Sequence, residues 1–231
     1  MSTISLKQIQ DLIKNFEMES FGKTQDFLKS ICLKKTKNIA DNKSIVIING
    51  GVATGKSTIA YNLFKQVILD NFFYISNDSV YYKMFHSDHS FEINYDKARE
   101  FTNKKLNESI LAGKSFVLET VLSKDIKRVF VEKCLSLGYT LTNIHVYTDN
   151  LSKAYERSNY RVEQGNHFVS FPFMEDRQRK SRESLEWLIP ACETNIIVNN
   201  TNTPTIEWYR SSTEEFRSAD EIPWIKKLQS S

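Results

Sequence analysis

The fold of this chain turns on the stretch Ile45-Val46-Ile47-Ile48-Asn49-Gly50-Gly51-Val52-Ala53-Thr54-Gly55-Lys56-Ser57-Thr58. A short apolar, β-branched run ends in the pattern G-x-x-x-x-G-K-[ST], carried by Gly50 to Ser57, and leads into Ile59, Leu63, Phe64 and Val67 at helical spacing. Strand, glycine-rich loop and helix together make a phosphate cradle. The glycines let the loop wrap closely around phosphate oxygens, so that the backbone N–H groups of residues 50–58 and the positive end of the helix meet the anion. Lys56 is then placed for the β- and γ-phosphates of ATP, and the Ser57 hydroxyl for Mg²⁺.

Working outward, short apolar runs alternate with amphipathic stretches. The runs are Ile45 to Ile48, Phe72 to Ile75, Phe116 to Leu118, Leu141 to Val146 and Ile196 to Val198. Helices are predicted near 56–69, 95–112, 124–137, 150–164 and 174–188. Buried strands alternating with helices imply a mostly parallel sheet covered on both faces, a three-layer α/β architecture. Right-handed crossovers put all the strand C-termini on one edge, so functional residues are expected just after strands. Before this core, residues 1–43 read as an N-terminal helical extension: Leu6, Ile9, Leu12, Ile13 and Phe16 have helical spacing, and Gly22 separates them from a second helix ending near Leu33. The core runs over 44–203, and 204–231 reads as a tail packed on it as a strand and a helix.

Composition sets the boundaries. The 231 residues are 40% apolar and 12% aromatic, enough to bury one sheet, and 31 basic against 28 acidic side chains leave a net charge of +3. So even a balance does not announce a nucleic-acid binder, and any anion preference is local. Cys32, Cys134 and Cys192 show neither a disulfide framework nor zinc-ligand spacing. No basic-then-apolar leader and no run of about 18 apolar residues occurs. The expectation is a cytoplasmic protein with no membrane association.

The chemistry beyond the cradle is read from acids and arginines. No Asn-Lys-x-Asp guanine motif is present, which disfavours a GTPase switch. Asp78 follows the second strand and stands at the ligand edge, where a carboxylate can accept the proton of a substrate hydroxyl; a helix cap is the alternative. Glu119, followed by Thr120, ends the third strand, where an acid meets substrate and metal-bound water or faces solvent. Asp149 reads as the cap of the helix that follows the fourth strand. Arg157 and Arg161 are four apart and share a helix face, where two cations repel unless an anion joins them. With Arg177, Arg179 and Arg182 they make a basic lid over about 157–182, the kind of cation source that phosphoryl transfer needs. His167 is expected to order the lid turn.

These features together resemble the zeta toxin and UDP-N-acetylglucosamine kinase family of P-loop proteins. The resemblance runs from about Ser44 to Thr201. It is carried by residues 50–58, Asn77-Asp78-Ser79, Glu119-Thr120-Val121-Leu122-Ser123, Gly138-Tyr139, Arg157 to His167 and Asn199-Asn200-Thr201. It implies a kinase-type P-loop NTPase fold in which Lys56 and Ser57 serve ATP and Mg²⁺ and Asp78 is the base. It further implies that Glu119 and Thr120 bind substrate, and that Arg161, with Arg157 on the nucleotide and Arg179 over the transferring phosphate, forms the lid. The family pattern of the lid turn departs here, with Pro172 two places late, so the downstream arginine is Arg177, Arg179 or Arg182.

The expectation is therefore an ATP-dependent kinase acting on the hydroxyl of a small molecule, first a nucleotide sugar such as UDP-N-acetylglucosamine, with toxin behaviour and an antitoxin partner implied by the resemblance. Two alternatives stay open: a kinase for an RNA or nucleoside hydroxyl, suggested by the basic lid and by Lys34, Lys35 and Lys37, and a nucleotide-dependent partner-binding protein without transferase activity. The stretch from Ser79 to Asn94 is aromatic and His-rich and does not match an Arg-containing nucleotide-sugar pocket; His86 and His89, near metal-ligand spacing but without further donors, read as solvated or in contact with substrate.

Overall fold

Ser44 to Asn49, all six residues buried, form β1, third in spatial order in a sheet of seven described strands. A computed structural model describes residues 43–61, 73–81, 95–122, 125–163, 167–217 and 222–227. The predicted N-terminal helical pair, Lys34 to Lys37, and His86 and His89 lie outside the described residues.

The other strands are β2 (Phe73–Ser76), β3 (Phe116–Thr120), β4 (Thr140–Tyr147), β5 (Thr194–Asn199), β6 (Thr205–Arg210) and β7 (Glu215–Arg217). Their spatial order is β2-β3-β1-β4-β5-β6-β7. The first five are parallel, as the alternation of apolar runs and helices requires, and the last two are antiparallel. The chain moves from β1 to one side for β2 and β3, then to the other for β4 and β5. The loop after β1 thus lies at the switch point, where a crevice opens in an α/β sheet.

Among the described residues the helices with both ends placed are α1 (Tyr95–Leu111), α2 (Asp125–Ser136), α3 (Leu151–Glu163), α4 (Phe171–Glu183), α5 (Leu185–Ala191) and α6 (Pro223–Lys227). The segment after the cradle is helical from Lys56 through the described residue 61. Where one helix was expected over 174–188, two occur. Pro172 sits in the first turn of α4, where its missing N–H costs nothing, so the helix starts earlier than the apolar spacing suggested. At Ser184 the hydroxyl bonds back to the Ser181 carbonyl at 2.7 Å, and α5 begins with its own buried stripe of Leu185, Leu188 and Ile189.

The core gathers Ile45, Ile47, Phe116, Leu118, Leu141, Ile197 and Trp208. Trp208 is 2% exposed and donates its indole N–H to Glu215 Oε1 at 2.8 Å, so the tail contributes two strands to the sheet as well as a helix, rather than the single strand expected. Tyr139 docks the end of α1: its hydroxyl meets the carbonyls of Ile110 and Lys114, each at 3.2 Å. Among the described residues no helix is long and apolar enough to cross a membrane.

Candidate active site

The loop after β1 is built by backbone conformations that few side chains tolerate. Gly50 has φ +147°, and a Cβ there would lie 2.0 Å from the Val146 carbonyl oxygen. Gly55 has φ +92°, and a Cβ would meet Asn200 Nδ2 at 2.1 Å. Ala53 also adopts positive φ, at 55°. Thr54 ties the loop across itself through a hydroxyl bond to the Gly51 carbonyl at 3.1 Å, and Lys56 Nζ donates to the same carbonyl at 2.5 Å. Asn200, just past β5, donates to the Thr54 carbonyl at 2.8 Å and braces the loop from outside. On the lid side, the backbone of Gln178 comes within 3.2 Å of where a Gly51 Cβ would stand.

Beneath the loop runs a buried ladder of amides. Asn49 donates to Asn143, Asn143 to Asn195 at 3.2 Å, and Asn195 to the Ile189 and Cys192 carbonyls at 3.1 and 3.2 Å. His145 Nδ1 lies 2.5 Å from Asn49 Oδ1, so this nitrogen carries the proton. Burial first, and the nearby Arg182 and Lys56 charges second, push the His145 pKa down to about 3, so the ring is neutral. Three neighbouring strands are thereby pinned directly under Gly50. Nothing in the spacing of isolated asparagines announces such a ladder, because strand register alone aligns them.

Four of the expected residues converge on the cradle. Lys56 is buried and its pKa is lowered, chiefly by desolvation, with Glu119 and Asp78 opposing the shift and Arg161 adding to it. Those contributions put both carboxylates and the Arg161 guanidinium within electrostatic reach of the ammonium. Ser57 Oγ donates to Glu119 Oε1 at 2.6 Å, and the Tyr74 phenol donates to Glu119 Oε2. At 6% exposure Glu119 does not face solvent, which removes that alternative. Thr120, next along β3, falls on the opposite sheet face, aligned with Asn49.

Asp78 stands on the short helical segment after β2 and accepts a hydrogen bond from the Tyr95 phenol at 2.8 Å. Burial, then Asp78, raise the pKa of that phenol, so it stays protonated. His167 packs on Tyr95 with ring centres 4.3 Å apart, and Tyr81 stands 5.7 Å from both. Desolvation lowers the His167 pKa, against the pull of Asp78. His167 therefore stacks on the phenol that Asp78 holds. The Ser57 hydroxyl and the Glu119 carboxylate are both oxygen donors, a set that suits Mg²⁺.

The lid arginines divide. Arg157 reaches the Asn200 and Thr201 carbonyls, each at 3.4 Å, on the cradle's outer rim. Arg179 is not brought to the cradle: its side chain is 57% exposed and pairs along its own helix with Asp176 at 2.7 Å and Glu183 at 2.6 Å. The helical turn presents Gln178 inward instead, where its amide donates to the Thr148 carbonyl at 2.6 Å. Arg177 lies over the Phe173 ring at 4.4 Å, and Arg182 over Tyr147 and Trp224 at 5.5 and 5.0 Å. The cap of α3 is Asn150, whose Oδ1 accepts the Lys153 N–H at 2.8 Å; Asp149 instead accepts from Asn199 at 3.2 Å. Tyr74, Tyr95 and Gln178 escaped the sequence reading, since a lone tyrosine or amide carries no motif, and Asn200 was singled out only as part of Asn199-Asn200-Thr201, with no bracing role.

No family model matches the sequence, and no curated protein matches it significantly. Solved structures do. The AvrRxo1-ORF1:AvrRxo1-ORF2 complex with sulphate ions aligns at a TM-score of 0.63 and 12% identity, over 98% of this chain and 78% of that one. A chain from the PezAT chromosomal toxin-antitoxin system of Streptococcus pneumoniae aligns at 0.55 and 14%, over 92% and 95%. The chain shares the fold of these two structures. The resemblance drawn from the motifs thus holds at the level of the fold. The antiparallel strands β6 and β7 and helix α6 lie beyond the motif-bearing stretch.

Proposed function

We propose that this chain is an ATP-dependent phosphotransferase that moves the γ-phosphoryl group to the hydroxyl of a small molecule. The observation that carries it is the Ser57 hydroxyl of the cradle on Glu119 at 2.6 Å, at the end of β3, with Asp78 just past the neighbouring parallel strand β2. An AvrRxo1-ORF1:-ORF2 structure with ATP, aligned at a TM-score of 0.61 and 10% identity over 99% of this chain and 77% of that one, supports ATP as the donor.

In this reading the N–H groups of residues 50–58 hold the phosphates and Lys56 stays on the β- and γ-oxygens. Magnesium, held by Ser57 with Glu119 beside it, would neutralise charge on the phosphate oxygens. The pairing of Ser57 and Tyr74 with Glu119 supports a place for that acid on the metal side, with Thr120 kept for the acceptor. Asp78 draws the proton from the attacking hydroxyl, Arg161 meets the charge that builds on the transferring group, and Arg157 contacts the nucleotide. Arg179 drops out of this scheme in favour of Arg161.

The family resemblance suggests a nucleotide sugar such as UDP-N-acetylglucosamine as first acceptor. The PezAT relative belongs to a toxin-antitoxin system, and AvrRxo1-ORF1 is solved with ORF2, which supports toxin behaviour and an antitoxin partner here. Incubation with Mg-ATP and UDP-N-acetylglucosamine, followed by mass spectrometry, should yield a phosphorylated sugar. Asp78→Asn should keep ATP binding and lose transfer by about 100-fold or more, the usual contribution of a general base. Failure of the parent protein to phosphorylate either this sugar or any component of a broad metabolite pool would sink the reading.

A further inference from the structure

The phenol of Tyr95 occupies the position on Asp78 that an acceptor hydroxyl has to take. Its oxygen lies 2.8 Å from Asp78 Oδ1 with the phenol donating, within the 2.6–3.2 Å reach that proton abstraction by a general base requires. The ring is flanked by His167, just before α4, and by Tyr81, on the helical segment that also carries Asp78. Asp78 itself lies within electrostatic reach of Lys56. The hydroxyls of Ser57 and Tyr74, by contrast, are committed to Glu119.

We propose that Tyr95 is a phosphate acceptor in its own right: the protein phosphorylates Tyr95 in cis when no other acceptor displaces that phenol from Asp78, and so silences itself. The inference rests on the kinase reading above. A lone pair of the Tyr95 oxygen attacks the γ-phosphorus of ATP, the bond from phosphorus to the β,γ-bridging oxygen breaks, and ADP leaves with that electron pair. The phenol proton passes to the Asp78 carboxylate and then to solvent. The product carries a charge of about −1.5 to −2 beside the Asp78 carboxylate, so like-charge repulsion and bulk close the acceptor position. An exogenous acceptor competes for the same carboxylate, and its presence protects Tyr95.

The test uses the full chain with Mg-ATP alone, sampled over time at several protein concentrations, with peptide mass spectrometry for phosphotyrosine. The expected result is one phosphoryl group on Tyr95, formed at a rate independent of protein concentration. Asp78→Asn should slow it by about 100-fold or more while ATP still binds. Protein fully modified in advance should have lost transfer to a metabolite extract. Tyr95 left unmodified with Mg-ATP alone, by a preparation that phosphorylates the extract in a parallel reaction, overturns this inference alone; neither event, with ATP bound, overturns the kinase reading as well. A rate that scales with protein concentration, or modification that persists in Asp78→Asn, also refutes it.

Discussion

Gly50→Ala tests the cradle most directly. The added Cβ would stand 2.0 Å from the carbonyl oxygen of Val146 and 3.0 Å from its carbon. That oxygen cannot retreat, because β4 is paired with β1 over six positions on one side and with β5 over six on the other. Gly50 must move instead, by more than about 1 Å to reach ordinary contact distance, and it carries the first N–H of the loop with it. A hydrogen bond to a charged group contributes about 1.5–3 kcal/mol, so losing one weakens ATP binding roughly 10- to 100-fold. Calorimetric titration with ATP measures the loss, and thermal melting shows whether the fold survives. Gly138→Ala is the control: it also has positive φ, 79°, but nothing within 4 Å of the new Cβ. It should lose about 1–2 kcal/mol of stability from backbone strain and leave ATP affinity unchanged. If Gly50→Ala binds ATP as tightly as the parent, the cradle reasoning is wrong.

Two further outcomes follow from the same geometry. Arg161→Ala should slow phosphoryl transfer by about 100-fold, in the range of a lost oxyanion donor, whereas Arg179→Ala, which removes only exposed pairs, should leave the rate alone; equal losses in both would restore Arg179 to the lid. His145 has a folded pKa of about 3 against an ordinary value of 6.5, so the unfolded chain binds its proton first as pH falls. Stability should therefore decline from about pH 6.5 towards pH 3 by up to about 1.4 kcal/mol per unit from this group. Urea unfolding at several pH values should show that acid slope flattened in His145→Gln; an unchanged slope would mean that the ring is not held neutral.

Much of the site was legible because its chemistry is local in the chain. Residues 50–58 declare themselves: the glycines, lysine and serine must stand at fixed spacing for one loop to wrap a phosphate. Asp78 and Glu119 were found by a rule of topology, that ligands meet the C-terminal ends of parallel strands. Arg179 was misplaced because i and i+1 on a helix point about 100° apart, so choosing between Arg179 and Gln178 needs the rotation of α4 about its axis, which packing alone sets. The break at Ser184 was missed for a related reason: the apolar spacing of Met174 and Leu185 to Ile189 looks continuous until one sees that the two stripes face different partners.

By itself the sequence determined the cradle, the parallel character of the sheet and the carboxylates at the strand ends, since each depends on residues near one another or on periodicity. Only the tertiary structure decided which groups stand on those carboxylates. Tyr74 lies on Glu119 and Tyr95 on Asp78, the second pair joining the edge strand's outgoing segment to the first residue of α1. It also decided the amide ladder beneath Gly50, where Asn49, Asn143 and Asn195 meet across three strands. Such contacts join residues tens of positions apart through strand register and helix rotation, and those are fixed by the packing of the whole sheet.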